Sequence, residues 1–133
     1  MESAVKVLVV AGVLVLVYGF GLGVPMARER SKAPQASRHL VNTHLEALIF
    51  GGILVALASA LSFSTLRNGI ELVAAWLLVA GAVLSLAGGT LNWLEKVDDP
   101  FAARSRGFML QAASGPLSVI GILLVAIGVL KAL

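Results

Sequence analysis

Residues 72–94 read LVAAWLLVAGAVLSLAGGTLNWL, a run of 23 residues without a single charge. Three further uncharged runs span residues 7–27, 47–66 and 107–130, with 21, 20 and 24 residues. A helix of about 20 apolar residues is about 30 Å long, which matches the hydrocarbon core of a bilayer. The sequence therefore predicts an all-α integral membrane protein, a four-helix bundle that forms a single domain over residues 1–133.

The ends of the uncharged runs predict four membrane helices, over about residues 4–26, 41–64, 70–95 and 108–131. Pro25 is predicted to end the first of them, because a proline has no backbone N–H to donate inside a helix. The basic segment that follows is then predicted to be a loop.

The composition excludes several classes of protein. Of the 133 residues, 59% are hydrophobic and 13% are charged, and the mean hydropathy is +0.97, which leaves no room for a soluble domain. The net charge of +3 does not indicate nucleic-acid binding, because the Lys and Arg residues flank apolar spans. With no cysteine, the chain cannot form disulfides, Fe–S clusters or thiolate zinc sites.

The basic residues also predict an orientation in the cell membrane. The two longer loops, residues 27–40 and 95–107, lie on one side of the bilayer and carry seven of the ten Lys and Arg residues. Cytoplasmic loops are enriched in Lys and Arg. We therefore expect these two loops to be cytoplasmic and both termini to lie outside.

Polar residues of the predicted spans gather at the membrane side of these two loops. They are Asn42, His44, Glu46, Thr90, Asn92, Trp93, Gln111 and Ser114. Polar side chains are costly to bury in a membrane and often mark functional sites, so this end is the candidate site. Glu46 and Glu71 lie near the ends of their helices and are expected to snorkel, or to pair with Arg38 or Arg67.

His44 is the strongest single candidate, because it lies about one turn inside the second helix. Leu48, Gly51 and Val55 follow on the same helical stripe, so the imidazole has an apolar wall with a glycine notch beside it. This pattern suits a flat hydrophobic cofactor such as heme, with His44 and Gly51 in contact with it. An interfacial histidine bonded to water or to a carbonyl, a proton relay and a pH switch remain alternatives. His39 is interpreted as a loop residue.

Three pieces of the sequence resemble a known family. They are Arg38, the segment HLEALIFG at residues 44–51 and the segment GTLNWL at residues 89–94. Together they resemble hydroxylaminobenzene mutases, small four-helix membrane proteins related to styrene oxide isomerases. The resemblance implies a homotrimer with heme b bound between subunits, His44 as the iron ligand, and ferric iron acting as a Lewis acid on the substrate oxygen. It also implies that Asn92 positions that oxygen, and Arg38 is a candidate partner of a heme propionate.

The chain departs from the family pattern at three positions. Phe50 stands where relatives have Asn, Thr90 stands where the hydroxylamine-rearranging branch has Tyr, and Lys96 stands where the epoxide isomerases have Tyr. The implied cofactor ligand is kept while groups that would orient a substrate are lost. The pattern thus favours heme binding over either named reaction.

Three functions follow from these observations. The first is a heme b isomerase or mutase for small apolar substrates of the epoxide or arylhydroxylamine type, which partition into the bilayer. The second is a non-catalytic heme-binding or structural membrane protein on the same scaffold. The third, a small multidrug-type exporter, is disfavoured because such exporters need an acid in the first membrane helix, where this chain offers only Tyr18.

Overall fold

The computed structural model describes residues 2–133 and is entirely helical in its regular structure across that range. Its helices are α1 (Glu2–Lys32), α2 (Arg38–Leu61), α3 (Asn68–Leu94), α4 (Pro100–Ala103) and α5 (Arg106–Leu130). All but the short α4 are long and apolar enough to cross a bilayer. This architecture confirms the prediction of an all-α chain with four long apolar helices and indicates a membrane protein.

The bundle consists of two close helix pairs, α1 with α2 and α3 with α5. Helix α3 also contacts α1 and α2, and these contacts connect the two pairs. Glycines make the close approach possible within each pair. A Cβ atom on Gly12 would collide with the Val55 side chain and the Gly51 carbonyl, and one on Gly88 would collide with the Gly107 carbonyl. Small residues allow membrane helices to pack backbone to backbone. These glycines therefore serve packing within the chain.

The interior of the bundle combines small residues with buried leucines, while many of the larger apolar side chains face outward. Ala47, Ala74 and Ala75 are completely buried, whereas Phe20 and Ile49 are largely exposed. In water such an exposed surface would be unfavourable, but lipid tails are as apolar as these side chains. The distribution is typical of a bundle that packs through small residues and presents large ones to lipid.

The first helix extends well past its predicted end. Pro25 lies inside α1, which continues to Lys32, so the prediction that Pro25 ends the helix is wrong. Because Pro25 has no N–H, one carbonyl of the preceding turn receives no helical hydrogen bond, a loss that membrane helices tolerate. The last turns of α1 are fixed by Glu29, whose carboxylate accepts hydrogen bonds from the Ser37 N–H at 2.6 Å and from Trp93 Nε1 at 2.8 Å. The predicted loop over residues 27–40 is thereby reduced to residues 33–37.

The segment between α3 and α5 is ordered by two caps. Asp99 Oδ1 accepts hydrogen bonds from the N–H groups of Phe101 and Ala102, at 3.0 and 3.3 Å, and starts α4. Ser105 Oγ accepts from the Phe108 N–H at 3.0 Å and starts α5. Side-chain caps of this kind satisfy N–H groups that a helix leaves free at its first turn. They hold Ser105 next to the end of α3.

Candidate functional site

A cavity of about 1140 Å³ lies at the end of the bundle where α1 and α3 finish and α2 and α5 begin. This cavity, which we call the polar cavity, collects most of the polar residues that the sequence singled out at this end. Its lining includes Glu29, Arg38, His39, Asn42, Thr43, Glu46, Asn92, Trp93 and Gln111. His44 and Gly51 are not among its lining residues. The structure therefore brings Arg38 and Asn92 together but separates both from His44.

Asn92 is buried between α3 and α5, with 1% of its surface exposed. Its Oδ1 accepts a hydrogen bond from Ser105 Oγ at 2.7 Å, and its Nδ2 donates to Gln111 Oε1 at 3.4 Å. Gly107 packs directly against this amide, because a Cβ at that position would collide with Asn92 Oδ1. The amide thus locks the cap of α5 to the end of α3 and forms part of the cavity wall.

Arg38 is the first residue of α2 and lies at the exposed mouth of the polar cavity. Its Nη2 donates a hydrogen bond to the Asp98 carbonyl at 3.2 Å. This bond bridges the start of α2 and the segment after α3. One guanidinium edge is occupied in this way, while the side chain remains exposed to solvent.

His44 faces α1 instead of the polar cavity. Its Nδ1 lies 2.7 Å from the Gly19 carbonyl oxygen, and because a carbonyl only accepts, Nδ1 must carry the proton and donate. In the neutral ring Nε2 is then the nitrogen with a free lone pair, and it has no hydrogen-bond partner within residues 2–133. The bond to the backbone of α1 therefore fixes both the orientation and the tautomer of a half-buried imidazole.

The stripe that follows His44 along α2 is the packing surface for α1. A Cβ on Gly51 would meet Leu16 and the Gly12 carbonyl, and Gly19 packs on Leu48. The glycine notch predicted to hold a cofactor is thus filled by Leu16 of the same chain. Within one chain, Gly51 contributes to helix packing.

Two residues of the polar cavity were missed by the sequence analysis. Glu29 was assigned to a loop because α1 was predicted to end at Pro25. His39 was interpreted as a loop residue, but it lies in the first turn of α2, with Nε2 2.6 Å from the Val97 carbonyl oxygen. The signal for it was the spacing of His39, Asn42, Thr43 and Glu46, which places all four on one face of a helix.

Glu46 neither snorkels nor pairs with Arg38, and Glu71 is buried instead of snorkelling. Glu46 Oε1 accepts a hydrogen bond from Ser85 Oγ of α3, while Arg38 is bonded to the Asp98 carbonyl. Glu71, near the other end of the bundle, is 1% exposed. Glu71 lies on a face of α3 that is buried in the bundle, whereas Glu46 is half-buried on the face of α2 that lines the polar cavity.

A second, apolar groove of about 610 Å³ lies between α1 and α3. Tyr18 and Thr90 line it, and the Tyr18 hydroxyl lies 2.5 Å from Thr90 Oγ1. Thr90 Oγ1 already donates its proton to the Leu86 carbonyl, so Tyr18 is the donor in this pair. The hydroxyl groups of Tyr18 and Thr90 thus form a polar pair in an otherwise apolar groove.

Comparisons with models of protein families, with curated proteins and with solved structures found no match to this chain.

Proposed function

We propose that this membrane protein binds heme b through Nε2 of His44. The observation that carries the proposal is the hydrogen bond from His44 Nδ1 to the Gly19 carbonyl. Histidines that ligate metals usually donate their other ring N–H to a carbonyl or carboxylate, which fixes the ring and raises its basicity. His44 has this arrangement, and its remaining ring nitrogen, Nε2, has no hydrogen-bond partner within residues 2–133.

The residues around His44 fit heme only in part. Nε2 of His44 is suitable as a ligand nitrogen. The apolar side chains of Phe20 and Val24 on α1 and of Leu45 on α2, close to Gly19 and His44 in the sequence, are exposed. The Gly51 stripe offers no room, because α1 covers it. A heme on His44 would therefore lie at the outer surface of the α1–α2 pair, which agrees with the homotrimer and the intersubunit heme that the resemblance implies. Arg38 and Asn92, in the separate polar cavity, would not contact it from the same chain.

As an enzyme, the protein would be an isomerase or mutase of small apolar substrates that enter from the bilayer. Ferric heme supplies a Lewis acid for a substrate oxygen. The groove between α1 and α3 is apolar and carries the Tyr18–Thr90 hydroxyl pair, which suits an epoxide or arylhydroxylamine with one polar end. Tyr18 directly precedes Gly19, so α1 links this groove to the backbone carbonyl that holds His44.

A non-catalytic heme protein is the second candidate, and one observation favours it. Asn92, the residue expected to position a substrate oxygen, has both ends of its amide bonded within the chain, to Ser105 and Gln111. It also lines a cavity that excludes His44. Both candidates predict heme binding, and they differ in whether an aryl epoxide or an arylhydroxylamine is rearranged.

The proposed orientation places residues 27–40 and 95–107 in the cytoplasm of the cell. The chain has no native cysteine, so single cysteines can report the topology without background. Ala33→Cys should react with a membrane-impermeant thiol reagent only after the cells are opened, whereas Lys131→Cys should react in intact cells. The reverse pattern would contradict the orientation.

An absorption spectrum of the detergent-purified, heme-supplied protein tests the proposal. We expect a Soret band that His44→Ala removes, because the imidazole is the only proposed protein ligand. His39→Ala is the matched control, since it deletes the chain's other histidine. A protein without a Soret band, or a band that is unchanged in His44→Ala, would refute heme ligation. Turnover of an aryl epoxide or arylhydroxylamine by the heme-loaded protein would then separate the two candidates.

A further inference from the structure

The polar cavity contains a carboxylate deep in the bundle that the proposed heme site does not use. Glu46 lies eight residues after the first residue of α2, about 12 Å along the helix axis. Its partner Ser85 lies nine residues before the end of α3, about 14 Å along that helix. Both estimates place the pair well below the helix ends, at the inner part of the cavity that Glu46 lines.

The charge of Glu46 is incompletely compensated inside the protein. A carboxylate has acceptor sites for about four hydrogen bonds, and Glu46 receives one, from the neutral Ser85 hydroxyl. It forms no ion pair with any Lys, Arg or His of residues 2–133. Because a charge in a membrane helix is costly, acids in such positions usually face a cavity and interact with a substrate or an ion.

The remaining lining of the polar cavity is suited to a cation with an organic body. Trp93 lines the cavity, and its indole N–H is directed to Glu29, which also lines it. The face of an indole attracts ammonium groups. The mouth carries two acids, Asp98 and Asp99, and two bases, Arg38 and Lys96, so the net negative charge of the lining comes from Glu29 and Glu46.

We infer that the polar cavity binds a small organic cation, a protonated amine whose ammonium group pairs with Glu46 and whose apolar part lies along Trp93. The cavity volume of about 1140 Å³ accommodates such a molecule together with water. Asn42 and Thr43, on the same face of α2, present further polar groups to it. This binding is independent of the heme proposal, because His44 does not line the cavity.

The inference is tested by calorimetric titration of the whole 133-residue chain in detergent with benzylamine and, as the neutral isostere, benzyl alcohol. We expect benzylamine to bind at least roughly tenfold more tightly than benzyl alcohol, because a charge-assisted hydrogen bond in a poorly solvated site contributes at least this factor. This comparison uses the unmodified chain, so it remains decisive even if a variant fails to fold.

The variant Glu46→Gln should remove this preference, while Glu46→Asp should keep part of it. Glu95→Gln is the matched control, since Glu95 pairs with Arg106 and does not line the cavity, and it should leave the affinity within about twofold. Equal binding of benzylamine and benzyl alcohol, or a preference that persists in Glu46→Gln, would overturn the inference. A second outcome would also overturn the inference: sodium chloride gives binding heat with the unmodified chain but not with Glu46→Gln, and benzylamine gives none. That outcome would indicate a site for an inorganic cation.

Discussion

The adjacent glycines of α2 provide a sharp test of the packing that holds His44 against α1. Gly51 is buried, and a Cβ there would lie 2.5 Å from Leu16 Cγ and 2.9 Å from the Gly12 carbonyl oxygen. Gly52 is exposed, and a Cβ there would meet nothing within 4 Å. Both residues are in regular helix without positive φ, so alanine fits the backbone at either position.

The two alanine variants should therefore change stability in opposite directions. Replacing a mid-helix glycine by alanine stabilises by about 0.5–1 kcal/mol through the reduced entropy of the unfolded chain. Gly52→Ala should show this gain in full. In Gly51→Ala the same gain is opposed by overpacking, which costs about 1–3 kcal/mol when a backbone carbonyl must move. The free energies of unfolding of the two variants should differ by about 1–3 kcal/mol.

Unfolding with increasing sodium dodecyl sulfate in mixed micelles, followed by circular dichroism, measures this difference. The expected order of stability is Gly52→Ala, then the unmodified chain, then Gly51→Ala. A Gly51→Ala variant that is as stable as Gly52→Ala would refute the reasoning, because α1 would then not cover this stripe of α2. The contact between Gly19 and His44, which depends on the same helix pair, would be in doubt as well.

Three further substitutions test individual contacts of the polar cavity. Trp93→Phe should lower the free energy of unfolding by about 1.5 kcal/mol, because it removes a hydrogen bond to a charged carboxylate. Trp76→Phe is the control at an exposed tryptophan, and an equal loss of stability in that variant would contradict the hydrogen bond assigned to Trp93. Asn92→Leu should cost about 2 kcal/mol or more in the same assay, since the Ser105 hydroxyl loses its acceptor, and an unchanged stability would show that this amide is dispensable. Asp99→Ala should accelerate amide hydrogen exchange at Phe101 by about fivefold, because the cap stabilises the first turn of α4 by about 1 kcal/mol. An unaltered exchange rate would contradict the cap.

The membrane architecture was predictable because it depends on composition over long windows. Four uncharged runs of at least 20 residues allow few alternatives in a chain of this length. The end of α1 was not predictable in the same way. The local rule that proline ends a helix was outweighed by contacts of Glu29 with Ser37, eight residues further on, and with Trp93 of α3. The Trp93 contact exists only once α1 and α3 have packed together.

The location of the candidate site was predictable from the sequence, but the separation of His44 from the polar cavity was not. The polar ends of the helices were expected to meet, and Asn42, Glu46 and Asn92 do line one cavity. Whether His44 joins them depends on the rotation of α2, and His44 is one residue from Thr43, about 100° around the helix. The glycines at 12 and 51 set that rotation by drawing α1 onto the His44 stripe. The sequence contained those glycines, but their partners could be found only in three dimensions.

The ligand role of His44 is the central claim, and rescue of its deletion tests that claim most directly. Heme binding should be lost in His44→Gly and restored by added imidazole, which can occupy the vacated space and supply the missing nitrogen. His39→Gly should bind heme like the unmodified chain, because His39 lines the polar cavity and not the outer surface of the α1–α2 pair on which the heme is proposed to lie. A Soret band in His44→Gly that equals that of the unmodified chain and does not respond to imidazole would contradict the account.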